Sequence, residues 1–143
     1  MIDNIIKIDE IVTDRKILSQ TSKETTLEEI EQLDLKNRLI NSSAKAWTKG
    51  CGLAAIQIGI PLRFAWFLYK DIEYTLLNPE IIYSIGKYTV GKEGCLSIPD
   101  NWVSIERFFE IKYLSNGKEY KAKGLKAQII QHEIDHMNGI LNS

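Results

Sequence analysis

Close to the end of the chain stands His132-Glu133-Ile134-Asp135-His136. Side chains four residues apart lie one above the other on a helix. A helix here would let His132 and His136 present two imidazoles to one metal ion, with Glu133 beside them. Histidine titrates near enough to neutrality to supply the neutral rings that ligation needs. A carboxylate at that place can take a proton from bound water and deliver it later. The 143 residues contain only two histidines, and both are in this segment. The same five residues would also suit a surface helix with two solvated histidines, so the decision lies upstream.

The bulk properties set the frame. Hydrophobic residues make up 44% and charged residues 26%, an ordinary balance for a globular domain. We read residues 1–143 as one domain, long enough for a core of its own. The net charge of −1 gives no reason to expect a nucleic-acid partner or an anionic membrane surface. The start, Met1-Ile2-Asp3-Asn4-Ile5-Ile6-Lys7, reads as neither signal peptide nor anchor. Two cysteines, Cys51 and Cys95, are too few for a disulfide scaffold and suit a reducing, cytosolic setting.

Residues 1 to 26 read as an extended arm lying on the domain, with Ile5, Ile6 and Ile8 able to open a short strand. A helix is expected from Thr26, capped by a Thr-x-x-Glu box with Glu29. Ile30, Leu33, Ile40, Ala44 and Trp47 form its apolar stripe, and it should run to Gly50. Glu28, Glu29 and Glu31 at its start, and Lys45 and Lys49 at its end, suit the helix dipole. Next comes Gly50-Cys51-Gly52-Leu53-Ala54-Ala55-Ile56-Gln57. Its glycines let a ligand approach the backbone. Gln57, polar in an apolar run, needs a hydrogen-bond partner if buried. A structural turn with a satisfied core glutamine fits equally well. Strands are expected over Leu62–Tyr69, Tyr74–Asn78, Glu80–Ile85 (closed by Gly86), Trp102–Ile105, Phe108–Leu114 and Lys118–Lys123. Asn116-Gly117 has the chemistry of a type I′ hairpin turn.

Among those strands lies Glu93-Gly94-Cys95-Leu96-Ser97. Cys95 reads either as a small buried apolar side chain or as a thiolate that joins two imidazoles and leaves a fourth coordination position open. The last helix should span Leu125 to Asn138, with Gly139 beyond its end. Ile130, Ile134 and Met137 form a face for packing on the sheet. Leu125, Ile129, His132 and His136 form a second face, looking into a site, although Leu125 and Ile129 would suit the core as well.

With those residues in hand, the sequence resembles the peptide deformylases. That family carries Gly-φ-Gly-φ-Ala-Ala-x-Gln, then Glu-Gly-Cys-φ-Ser, then His-Glu-φ-Asp-His, with φ apolar. Gly50 to Gln57, Glu93 to Ser97 and His132 to His136 match in that order, and Ile58-Gly59, Asn78-Pro79, Ile98-Pro99 and Gln131 agree as flanks. The resemblance implies an α+β fold, antiparallel sheets around a central C-terminal helix that bears the metal ligands. It implies that Cys95, His132 and His136 hold a divalent ion, Fe²⁺ first, with Zn²⁺, Ni²⁺ or Co²⁺ able to replace it. Glu133 would be the general acid/base. The Gln57 amide and the Leu96 backbone N–H would stabilise an oxyanion. Glu93, paired with Arg107, would lie behind the ligands. Gly52 and Gly94 would offer backbone groups to a substrate lying like an added strand, and Cys51, Leu125, Gln128 and Ile129 would line its methionine pocket. The implied reaction removes the formyl group from N-formylmethionyl peptides in the cytosol.

Several positions depart from the family pattern. Cys51 replaces an aliphatic residue, Gln128 is polar in a commonly apolar wall, and Trp102 stands where a charged or polar residue is common. The chain stops seven residues after His136. Many members continue into a segment that contributes to ribosome contact, and its lack resembles compact versions encoded by bacteriophages. Two other readings stand beside a deformylase. A zincin-type endopeptidase would need a third ligand downstream, where almost no chain is left. A non-catalytic formyl-peptide binder would have no use for Glu133 as a proton shuttle.

Overall fold

The computed structural model describes residues 9–45, 52–95 and 97–141; side chains at 44, 45, 92, 94 and 98–103 are outside the description. In chain order the elements are α1 (Arg15–Leu18), α2 (Leu27–Gln32), α3 (Leu35–Lys45), β1 (Gly52–Ala54), a 3₁₀ turn (Ala55–Ile58), β2 (Phe64–Tyr69), β3 (Ile72–Leu77), β4 (Glu80–Cys95), β5 (Ile98–Ser115), β6 (Lys118–Lys123) and α4 (Gly124–Met137). Two three-stranded antiparallel sheets, β1-β2-β3 and β4-β5-β6, meet the faces of α4. This is the α+β arrangement expected from the sequence.

β2 explains why its sequence is a continuous apolar run. Successive strand residues point to opposite faces, and both faces of this sheet are covered. Ala65 and Phe67 join α4 through Ile130, Ile134 and Met137. Phe64 and Trp66 join Leu35 and Leu39 on the other side. Each such full burial contributes about 1.5–3 kcal/mol relative to exposure.

The first long helix is not continuous. Thr26 caps α2 through a hydrogen bond from the Glu29 N–H at 3.1 Å, but the Glu29 carboxylate accepts from Thr25 Oγ1, not from the capping residue. The helix then stops at Leu33, and Asp34 adopts φ +50°. That left-handed residue, whose carboxylate accepts from Asn37 Nδ2, redirects the chain. The redirected chain buries Leu35 and Leu39 fully, while the expected stripe residues Leu33 and Ile40 are only partly buried. The side chain of Ala44, with Trp47, Lys49 and the stop at Gly50, lies outside the described residues.

The N-terminal arm lies on the domain as expected, although it contains the unexpected short helix α1. Within it Leu18 is buried, Val12 N–H donates to the Gln57 carbonyl at 2.7 Å, and Asp9 pairs with Arg38 at 2.9 Å. Ile5, Ile6 and Ile8 lie outside the described residues. Asn116 and Gly117 have φ of +51° and +76°, as a type I′ turn requires. The central strands are longer than the sequence suggests. Gly86 does not end β4; it sits inside it at φ +78°, where the chain passes against Phe109. Glu93 to Cys95, expected between strands, are the last residues of β4.

Candidate metal centre

A match of repeats builds the site. Residues two apart on a strand face the same way and are about 6.6 Å apart. Residues four apart on a helix share a face and are about 6.0 Å apart along the axis. Glu93 and Cys95 on β4 therefore line up with His132 and His136 on α4. Glu93 Oε1 lies 2.9 Å from His132 Nδ1, and Cys95 Sγ lies 3.2 Å from His136 Nε2. The pairing of β4 with β5 shifts register between Val90 and Glu93 and again between Glu93 and Cys95.

The two Nε2 atoms are 3.2 Å apart, and the sulfur and both rings present ligand atoms within 4.8 Å of one another. A tetrahedral ion with metal–nitrogen distances of about 2.0–2.1 Å holds two nitrogens about 3.3 Å apart. The Glu133 carboxyl is 2% exposed, and its Oε1 has no hydrogen-bond partner among the described residues. Three convergent donor atoms beside a buried carboxyl fit one divalent cation.

The surroundings set the charges. Arg107 grips Glu93 through Nε at 3.1 Å and Nη2 at 2.5 Å, and its Nη1 reaches Asp135 at 2.6 Å. Burial pushes the Glu93 carboxyl up, but the hydrogen bonds from His132 and Arg107 outweigh it and hold it well below the usual carboxylate range. The ionised Glu93 therefore accepts from Nδ1 of His132 and leaves Nε2 for a ligand bond. Burial pulls His132 down, yet its hydrogen bonds to Cys95 and Glu93 and the charge of Glu133 raise it to about 10. A bound cation would displace that proton, because ligation needs the same lone pair. Burial and the neighbouring His132 hold His136 well below its ordinary value, so it is neutral. Burial pushes Glu133 up to about 7, in the range useful for proton transfer at neutral pH.

Gln57 is 1% exposed and fully engaged. Its Oε1 accepts from Ala54 N–H at 3.0 Å, and its Nε2 points to Ser97 Oγ at 3.1 Å and Cys95 Sγ at 3.5 Å. Gly52 opens β1 directly over Glu133. Gly94 lies between Glu93 and Cys95 on β4. Ile129 is buried on α4, Leu125 is 53% exposed at its start, and Gln128 reaches Glu93. Cys51, Leu96 and the side chain of Trp102 lie outside the described residues. Asp135, inside the five-residue motif, joins the site through Arg107; the sequence offers only an acid one position from a histidine as its signal.

A cysteine sulfur from a strand and two imidazoles from a helix, with a buried carboxyl beside them, define a metallo-hydrolase. The third ligand comes from an upstream strand, not from beyond the helix as in the zincin alternative. The family model for polypeptide deformylase matches residues 8–143, and the chain belongs to that family. The peptide deformylase of Mesorhizobium japonicum is 42% identical over 144 residues, covering 92% of this chain and 79% of that protein. A probable peptide deformylase from Synechococcus phage S-SSM7 superposes with a TM-score of 0.81 at 33% identity, covering 92% of this chain and 95% of that one. The Met-Ala-Ser-bound class I type b peptide deformylase from Acinetobacter baumannii gives a TM-score of 0.81 at 26% identity, covering 96% and 98% of the two chains.

Proposed function

We propose that this chain hydrolyses the formyl amide of N-formylmethionyl peptides, leaving formate and a free amino terminus. The observation that carries the reading is the convergence of Cys95, His132 and His136 ligand atoms within 4.8 Å beside the buried Glu133. Family membership supports it. So does the Acinetobacter structure, whose bound Met-Ala-Ser is what deformylation of formyl-Met-Ala-Ser would leave.

Cys95, His132 and His136 would hold a divalent cation, which would supply Lewis acidity and lower the pKa of water from about 15.7 to roughly 7. Fe²⁺ is the proposed native ion; one thiolate and two imidazoles also accept Zn²⁺, Ni²⁺ or Co²⁺. Glu133 takes the proton of the attacking water on its carboxylate and passes it to the departing amine nitrogen. The Gln57 Nε2 exchanges its long 3.5 Å contact with Cys95 Sγ for the formyl oxygen as charge builds there, keeping its bond to Ser97 Oγ. The Leu96 N–H is the proposed second donor. Losing one such donor costs about 10²–10³ in turnover. Gly52 and Gly94 offer backbone groups to the peptide, and Cys51, Leu125, Gln128 and Ile129 line the pocket for its first side chain. Glu93 and Arg107 hold His132 from behind. None of the helices among the described residues is long and apolar enough to cross a membrane, and the reducing conditions that a thiolate ligand needs agree with work in the bacterial cytosol.

The test is formate release from formyl-Met-Ala-Ser by protein purified without oxygen and analysed for metal. Glu133→Ala should abolish release while the ion is retained. Tight formyl-peptide binding with no formate in any metal form would overturn the reading in favour of a binder.

A further inference from the structure

Gln128 stands one turn before His132 and two before His136, on the helix face that carries both imidazoles. The Gln128 side chain turns to Glu93, donating from Nε2 to Oε2 at 3.1 Å. That oxygen also accepts from Arg107 Nε at 3.1 Å. The other oxygen, Oε1, accepts from Arg107 Nη2 at 2.5 Å and from His132 Nδ1 at 2.9 Å. One carboxylate is therefore held from two elements. Arg107 on β5 supplies a planar fork, and α4 supplies an amide and an imidazole one turn apart.

The fork fixes the plane of the carboxylate, but it comes from the sheet, whereas His132 rides on the helix. Gln128 ties the far oxygen to the helix itself. With Oε2 tied there, Oε1 stays opposite the Nδ1 of the imidazole on the next turn. We infer that Gln128 is a positioning residue for the metal centre. It keeps Glu93 set against His132 Nδ1, which keeps the His132 Nε2 lone pair directed at the point shared with Cys95 and His136. This rests on the reading that those three residues bind a cation. It adds a role that pocket lining alone does not give Gln128.

The experiment uses the full chain loaded with Co²⁺, whose visible bands report ligand geometry, with no substrate present. Gln128→Met keeps length and volume and removes the donor. Partners behind a ligand typically contribute 10–100-fold to metal affinity, so Q128M should lose cobalt to excess chelator about 10-fold faster than the parent, with shifted bands. Gln128→Glu sets a second carboxylate against Glu93 and should release the ion faster still. If Q128M matches the parent in bands and release rate, and only its KM for formyl peptide moves, Gln128 merely lines a pocket and the inference is overturned. If the parent takes up no cobalt, the metal reading itself fails and the inference goes with it.

Discussion

Gly52 and Glu133 occupy one space: a Cβ built on Gly52 would lie 2.7 Å from Glu133 Oε2 and 2.8 Å from the Cβ of Phe67. Glycine is needed here for closeness, not for an unusual backbone angle. Phe67 is fully buried across the strand pair and has no room to retreat. Gly52→Ala must therefore displace the Glu133 carboxyl or push β1 away from β2. Overpacking of this kind costs about 1–3 kcal/mol, and a displacement near 1 Å at a reacting group can cost about 10²-fold in rate. The expected outcome is a folded protein with a slightly lower unfolding midpoint and formate release reduced by about two orders of magnitude. Steady-state assay and urea melts check it.

The buried Glu133 also makes stability depend on pH. Burial pushes its carboxyl up to about 7 from an ordinary 4.5. Below about pH 4.5 the group is protonated in both states and costs nothing. Between there and pH 7 the unfolded chain ionises first, so folding loses stability as pH rises, by roughly 3 kcal/mol in all at 1.36 kcal/mol per unit. Glu133→Gln removes that slope. In metal-free protein the variant should equal the parent near pH 4.5 and exceed it by a few kcal/mol above pH 7 in urea melts. A bound cation favours the carboxylate, so the acid limb of kcat/KM in loaded enzyme should fall below pH 7.

The Glu93–Arg107 pair works in the opposite sense. Both side chains are almost fully buried, and removing one partner of such a pair costs about 3–5 kcal/mol because the other charge stays buried alone. Arg107→Met should lose about that much at pH 7. Burial pushes the Glu93 carboxyl up, but the bonds from His132 and Arg107 bring it down well below its ordinary value, so the pair contributes above about pH 4.5 and fades as pH falls through the folded pKa. The gap between parent and variant should narrow steadily when melts are repeated from pH 5 downward. A gap that stays constant would mean that Arg107 acts through packing alone.

What could be read from the chain followed local chemistry. Asn116-Gly117 announces its own turn, and a strand covered on both faces, like Phe64–Tyr69, writes itself as an unbroken apolar run. The metal centre was legible because its side chains have few other uses in that spacing. The break at Asp34 was not legible, because Ile30, Leu33 and Ile40 fit one continuous helix almost as well. Only the packing of Leu35 and Leu39 on Phe64 and Trp66 selects the broken form. The lengths of β4 and β5 were hidden for a similar reason. Gly86 reads as a stop, while in the fold it sits at φ +78° inside a strand whose pairing with β5 continues on both sides, Ile85 with Glu110 and Lys87 with Phe108. The grip of Gln128 on Glu93 needs two elements in register, which no local pattern encodes.

Gln131 couples that register to the backbone. Its amide acts as a strand partner for Phe108: Oε1 accepts from the Phe108 N–H, and Nε2 donates to the Phe108 carbonyl, each at 2.8 Å. Nε2 also reaches the Ala127 carbonyl at 2.9 Å. Phe108 follows Arg107 directly, so this clamp fixes the height of Arg107 against α4, and through it Glu93 and His132. Gln131→Leu fills the same volume but leaves the Phe108 N–H and carbonyl without these partners, and each such loss costs about 1–3 kcal/mol. The variant should lose roughly 2–6 kcal/mol by urea melt. Amide exchange at Phe108 should accelerate beyond what the global loss explains. If exchange at Phe108 rises only in step with global unfolding, the side chain is a core filler, and the clamp does not set the height of Arg107.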